Sequence, residues 1–258
     1  MRGNADDCSL LLAADTEVMM KRIAIGSALL AVILCCQVPV ALADMTQSQA
    51  RHLEMQAEQG DAEALHTLRQ RASAGDAVAQ NFLGDFYKHG QGVKRDYSTA
   101  AAWYQKAATQ GYALAQSNLG FLYYQGRGVS QDYAKAAAWW KKAAKQGDML
   151  SQSNLGVLYY KGQGVAQDYG KAAQLWLKAA DQGDGSSQYN MGYAYYKGQG
   201  VPRDFVEAYK WLTLAASKRS RKGIRDAALA TREVVAGAMT NEQISNAQQL
   251  SKNWKPKQ

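Results

Sequence analysis

Cysteine, proline and histidine are scarce in this sequence. The three cysteines, Cys8, Cys35 and Cys36, all precede residue 37. Everything after that point lacks a thiol, so no disulfide can staple it and packing alone must hold the fold. Three prolines in 258 residues leave long stretches free of helix breakers. β-Branched runs are few, which disfavours sheet. The only histidines are His52, His66 and His89. None has metal-ligand spacing with another, and no His-Glu-x-x-His is present, so no metal is expected. Neither a Gly-x-Ser-x-Gly elbow nor a phosphate-binding loop occurs. Nothing in the chain calls for a cofactor.

The N-terminus reads as targeting rather than fold. Met20-Lys21-Arg22 gives a basic start, Ile23 to Cys36 is a 14-residue apolar run, and Ala41-Leu42-Ala43 follows the break at Pro39. This order predicts a secretory signal peptide cleaved after Ala43. The run is short for a membrane span of about 20 residues, and no later stretch is longer. Residues 1–18 fit no targeting pattern and read as an upstream segment, with initiation at Met19 or Met20. Residues 1–43 carry three basic and four acidic groups, so their removal raises the net charge from +8 to +9. Part of that surplus is local, at Lys218, Arg219, Arg221, Lys222 and Arg225. Such a cluster is either a solvated surface or a contact for an anionic surface, phospholipid or acidic protein. Nucleic acid is not an expected partner of a secreted protein.

What the sequence has in abundance is a repeat. Gly84, Gly90, Gly92 and Val93 return 36 residues on at Gly120, Gly126, Gly128 and Val129, then in two further copies, without slippage. Asp96 returns as Asp132, Asp168 and Asp204. Ala107-Ala108 returns at 143, 179 and 215. Each unit predicts two helices of roughly 14 residues, each about 21 Å long. Ala79, Leu83 and Phe86-Tyr87 make one buried stripe. Gly90 and Gly92 end the first helix, and Asp96 caps the second. Gly84 sits in mid-helix, where glycine costs about 1 kcal/mol against alanine. Its return in every copy predicts that another backbone comes close. The second helix is expected to bury Ala100, Trp103 and Ala107-Ala108. Tyr87, Tyr123, Tyr159 and Tyr195 read as core, and Trp103, Trp139 and Trp211 as packing residues. The third unit departs, with Leu175 followed by Trp176. One helix pair cannot cover its own apolar face, so neighbours must stack into a solenoid.

The pattern Ala-x-Ala-Gln-x-x-Leu-Gly-x-x-Tyr-x-x-Gly-x-Gly-Val-x-x-Asp-Tyr-x-x-Ala-Ala-x-Trp-x-x-Lys-Ala-Ala is seen best from Ala113 to Ala144. It closely resembles the Sel-one-like repeat family, a 36-residue relative of the tetratricopeptide repeat. The resemblance covers residues 60–218. It implies an all-α, right-handed α/α superhelical solenoid that binds other proteins. Met239 to Trp254 also resembles the segment that often follows such arrays in bacterial proteins. A cysteine-rich branch of the family carries disulfides and β-lactam binding or hydrolysis. This chain departs from that branch, having no cysteine in its repeats. The expected organisation is cap helices at 44–74, after a signal peptide at 19–43, then repeats at 75–110, 111–146, 147–182 and 183–218. Residues 219–258 would form C-terminal capping helices, with a capping box at Thr240 and Gln243.

In the related tetratricopeptide arrays the first helices line a concave groove. Asn118, Asn154 and Asn190 match a position that contacts ligand in some of those proteins. Three residues on come Phe121, Val157 and Tyr193, then Tyr124, Tyr160 and Tyr196. These nine predict an amide-and-aromatic strip for a protein or peptide partner. The asparagines could equally be structural hydrogen-bonders. The leading expectation is a non-enzymatic periplasmic or secreted adaptor. The alternative is an enzyme or binding protein for a cell-wall or β-lactam type ligand. Catalysis would need a reactive set in one copy that breaks the repeat, and the sequence by itself shows none.

Overall fold

A computed structural model describes residues 45–217 and 220–257. The expected upstream segment, the signal peptide, the three cysteines, Lys218 and Arg219 lie outside the described residues. Twelve helices run in order among the described residues: α1 Gln47–Glu58, α2 Ala62–Ser73, α3 Ala77–His89, α4 Tyr97–Thr109, α5 Ala113–Gln125, α6 Tyr133–Lys145, α7 Met149–Lys161, α8 Tyr169–Asp181, α9 Gly185–Lys197, α10 Phe205–Ala215, α11 Lys222–Ala236 and α12 Asn241–Asn253. Each packs on the next from α1 to α11, and α12 packs back on α10. The product is an all-helical solenoid of helix pairs α3–α4, α5–α6, α7–α8 and α9–α10.

Local chemistry sets the boundaries. Asp96, Asp132, Asp168 and Asp204 each accept a hydrogen bond from the first-turn backbone of the second helix they open. These aspartates are therefore caps rather than paired acids. First helices end on Gly90, Gly126, Gly162 and Gly198, all left-handed, with φ of 77°, 66°, 67° and 69°. The capping box at Thr240 and Gln243 is formed, and a second one opens α1 at Thr46 and Gln49.

Successive pairs are tied by amides. Gln116 donates to the Ala108 carbonyl at 3.1 Å. Gln146 donates to the Gly111 carbonyl at 3.0 Å and to Gln116 Oε1 at 2.9 Å. Gln80 with Gln110, and Gln152 with Gln182, repeat the arrangement one unit away on either side. These glutamine amides thus satisfy one another and the loop carbonyls from one repeat to the next.

Two packing expectations are corrected. Gly84, Gly120 and Gly156 face a side chain rather than another backbone, whereas Gly192 in the fourth copy meets both the Leu212 side chain and, at 3.1 Å from an added Cβ, the Ala208 carbonyl. A Cβ at Gly84 would lie 2.6 Å from the Tyr104 ring, and at Gly120 and Gly156 it would strike Trp140 and Trp176 at 2.6 and 2.5 Å. In the fourth repeat the glycine makes room for Leu212; in the first three it makes room for a ring carried by the second helix of its own repeat. That ring is one residue later than expected: Tyr104, Trp140 and Trp176 are buried, while Trp103, Trp139 and Leu175 are half-buried on the outer side. Fixing the face by Ala100 and Ala107, which are both fully buried, puts the i+4 position inward rather than i+3. The stripe tyrosines Tyr87, Tyr123, Tyr159 and Tyr195 are likewise half-buried rather than core. Only Trp211 among the outer tryptophans is fully covered, because Trp254 packs on it edge-on at 6.3 Å.

Candidate functional site

The third and fourth repeats bring five of the nine sequence-selected groove residues together. Asn154, Val157 and Asn190 line a cleft of about 440 Å³ with Leu150 and Arg221. Val157, Tyr160, Asn190 and Tyr193 line an adjoining cleft of about 450 Å³ over Trp176. Val157 and Asn190 belong to both, so the two openings form one trough along α7 and α9. The amides of Asn154 and Asn190 make no side-chain hydrogen bond among the described residues. Leu150 is 55% exposed at the rim.

The tyrosines have a second role. Tyr160 stacks 5.1 Å from Tyr169 and 5.4 Å from Trp176, and its hydroxyl donates to Gln199 at 3.1 Å. Burial pushes its phenol pKa up, and the neighbouring Tyr193, Tyr169 and Tyr189 add to this. Tyr124 is held in the same way by Tyr133 at 5.3 Å and Trp140 at 5.5 Å. Tyr196 lies 6.3 Å from Phe205 and 6.4 Å from Tyr193. These three tyrosines buttress the groove wall as well as face it. Phe121 is exposed, and Tyr193 makes only the longer ring contacts, to Tyr189 and Tyr196 at 6.4 Å.

The first repeat is built differently. Phe82, Asp85 and Lys88 stand where the later copies have asparagine, a large apolar residue and tyrosine. Tyr104 replaces the tryptophan of copies two and three. Its hydroxyl donates to Asp85 at 2.6 Å. Asn81 donates to the other carboxylate oxygen at 3.2 Å, and Lys88 Nζ lies 3.7 Å away. Burial raises the Asp85 pKa against the lowering pull of Tyr104 and Lys88. The same network takes up Asn118, which donates to Asn81 at 3.1 Å and accepts from Lys88 at 3.5 Å. Asn118 is therefore a structural hydrogen-bonder, unlike Asn154 and Asn190. The first copy thus does depart from the repeat with a converging polar set, which sequence reasoning in search of a reactive set did not pick out. Its carboxylate oxygens are nevertheless already engaged, and the set reads as a lock between the first two units.

The described part of the basic cluster meets the trough at one point. Arg221 opens α11 without a side-chain cap and lines the first cleft. Lys222 begins α11, and Arg225 Nε lies 3.7 Å from Asp226. No three His, Cys, Asp or Glu side chains converge on a metal position among the described residues. No described helix is long and apolar enough to cross a membrane. Sequence reasoning missed Leu150 and Tyr189 as groove residues; their signal would have been their place on the same helix face, one turn before Asn154 and Tyr193. Chemically, the trough offers free amides for a peptide backbone, aromatic and aliphatic walls for side chains, and one guanidinium at its end.

Comparison with known proteins gives one family. The model of the Sel1 repeat matches residues 77–112, 113–148, 150–184 and 185–220. Among solved structures, a Sel1 repeat protein from Oxalobacter formigenes is 28% identical, with a TM-score of 0.66, over 81% of this chain and 86% of that one. A protective antigen of uropathogenic Escherichia coli with an SLR fold is 25% identical, with a TM-score of 0.45, over 81% of this chain and 61% of that one. No curated protein matches the chain.

Proposed function

The chain belongs to the Sel1 repeat family, and from that premise we propose that it is a non-enzymatic scaffold that binds an extended segment of a partner protein along the trough of α7 and α9. The Sel1 fold is commonly a protein-interaction scaffold. The observation that carries this reading is the pair of unengaged amides at Asn154 and Asn190, set between apolar walls. Their polar atoms are not among the buried unpaired ones, so they stand open to solvent and can exchange water for a partner's hydrogen bonds. A peptide backbone supplies these while its side chains fill the two clefts. The signal-like N-terminus supports a periplasmic or secreted setting. Mass spectrometry of the exported protein should then find residue 44 at its start, and a mature species retaining Lys21 contradicts this.

The test of the groove follows from its construction. Tyr160 holds Trp176 and Gln199, so truncating it would disturb the fold. Asn190→Ala with Tyr193→Ala instead removes one free amide and a ring whose own contacts, Tyr189 and Tyr196 at 6.4 Å, are looser than those of Tyr160. Central aromatic anchors commonly contribute 2 kcal/mol or more, so affinity for the partner recovered by cross-linking from an envelope extract should fall at least about 30-fold. Calorimetry measures it, with unchanged helicity as the control. Parent-like binding by the double variant refutes the groove.

A further inference from the structure

A second opening lies away from this trough, between the second helices of repeats two and three. Positions 103, 139 and 211 are tryptophan, and the matching residue of the third repeat is Leu175. Each belongs to the packing cluster that holds the stripe tyrosine of its repeat, Tyr87, Tyr123, Tyr195 and Tyr159 respectively. Where the indole is missing, a cleft of about 310 Å³ opens, floored by Leu155 and Tyr159 of α7 and walled by α6 and α8. Repeats one and two also place a lysine over the indole, Lys106 at 4.0 Å from the Trp103 ring and Lys142 at 4.1 Å from Trp139. The third repeat keeps the lysine, as Lys178 on the cleft wall, without a ring beneath it.

The charge at this cleft is also particular to it. Lys141 and Lys145 line it, where copy one has Gln105 and Thr109 and copy three has Leu177 and Asp181. No acidic residue lines the cleft. Among the described residues Lys141, Lys145 and Lys178 have no ion-pair partner. The nearby caps Asp132 and Asp168 are engaged by Lys135 and Lys171, and Asp181 by Lys257.

We propose that this cleft is a binding site for an aromatic side chain, best an indole, carried by an acidic segment of a partner protein. The ring takes the place left by the Trp-to-Leu change, lying on Leu155 and Tyr159 beneath Lys178. Carboxylates on either side of it meet Lys141 and Lys145. Shape asks for a flat ring, the unstacked lysine asks for a π-face, and the uncompensated cations ask for negative flanks.

The probe is a blocked Glu-Asp-Trp-Glu-Asp peptide, titrated into the protein and followed by calorimetry. Replacing its Trp by Ala, or its acids by Gln and Asn, should weaken binding at least about tenfold in each case. On the protein side, Leu175→Trp fills the cleft from within as in the other repeats. It should keep or raise the melting temperature and lose at least about tenfold in peptide affinity. Lys141→Gln with Lys145→Thr, the residues of copy one, should lose affinity and most of its salt dependence. Parent-like binding by folded Leu175→Trp overturns the proposal, as does an Ala peptide that binds as well as the Trp peptide. Binding to phosphatidylglycerol vesicles that Leu175→Trp abolishes, with no binding of the peptide, makes the occupant an acyl chain and also overturns it. The trough variant Asn190→Ala with Tyr193→Ala should bind this peptide normally, which separates the two sites.

Discussion

Gly120→Ala is the smallest perturbation that examines how each repeat closes. The added Cβ would lie 2.6 Å from both Cδ1 and Nε1 of Trp140 and 3.1 Å from its Cε2. Real carbon contacts do not come so near, so either the indole or α5 must shift. Trp140 has little room: it is 1% exposed, and its Nε1 donates to the Ser117 carbonyl at 3.1 Å. Overpacking of this kind costs about 1–3 kcal/mol, and straining the indole hydrogen bond forfeits up to about 1 kcal/mol more. Against this, alanine gains about 1 kcal/mol over glycine inside a helix. The net expectation is a loss of up to about 3 kcal/mol, read from urea unfolding by circular dichroism with an unchanged m value. Gly223→Ala, in α11 with nothing within 4 Å of its added Cβ, is the control and should stabilise by about 0.5–1 kcal/mol. In a cycle with Trp140→Ala the penalty of Gly120→Ala should give way to the helix gain, a coupling of about 1–4 kcal/mol. A Gly120→Ala midpoint at or above that of the parent would refute the argument that the ring requires the glycine.

Gly164→Ala should be worse than Gly120→Ala, with a loss of about 2–5 kcal/mol in all, because φ is +68° and the new Cβ would strike the backbone of Tyr133 and Ala134; thermal unfolding measures it, and a loss under about 1 kcal/mol contradicts the close approach. Asp85→Asn should change stability in a pH-dependent way. The folded pKa of Asp85 is raised, so the carboxyl contributes its stability below the ordinary carboxylate range and loses it as pH rises through the folded value. The variant should therefore compare better with the parent at about pH 7 than at about pH 3, and a pH-independent difference in melting temperature removes the buried-carboxyl account.

The architecture was legible because the repeat reports on itself. Glycines with positive φ and capping aspartates act through local backbone chemistry, and a 36-residue register showed them four times over. Tertiary contacts were less legible. A glycine in mid-helix signals a close neighbour, but not whether that neighbour is backbone or indole, and adjacent Trp139 and Trp140 left the buried face one residue uncertain. The Asp85–Tyr104 pair joins residues 19 positions apart, each unremarkable alone. Its signal was that both depart from the repeat in the same copy. Leu175, Lys141 and Lys145 carry the same kind of signal, since a departure shared by neighbours in space is visible only once stacking shows which positions meet. The asparagine series could not be resolved by pattern: Asn118, Asn154 and Asn190 occupy one register, and the surroundings of copy one bind the first and leave the others open.

The central claim, a partner segment held in the trough of α7 and α9, is tested most directly by site-specific photo-cross-linking in the living cell. A benzophenone amino acid replacing Tyr193 should yield a discrete protein adduct, and the same group replacing Leu250, exposed on α12, should yield none. Adducts formed only from a benzophenone at Arg225, with none at Tyr193, would move the site to the basic surface and contradict the account.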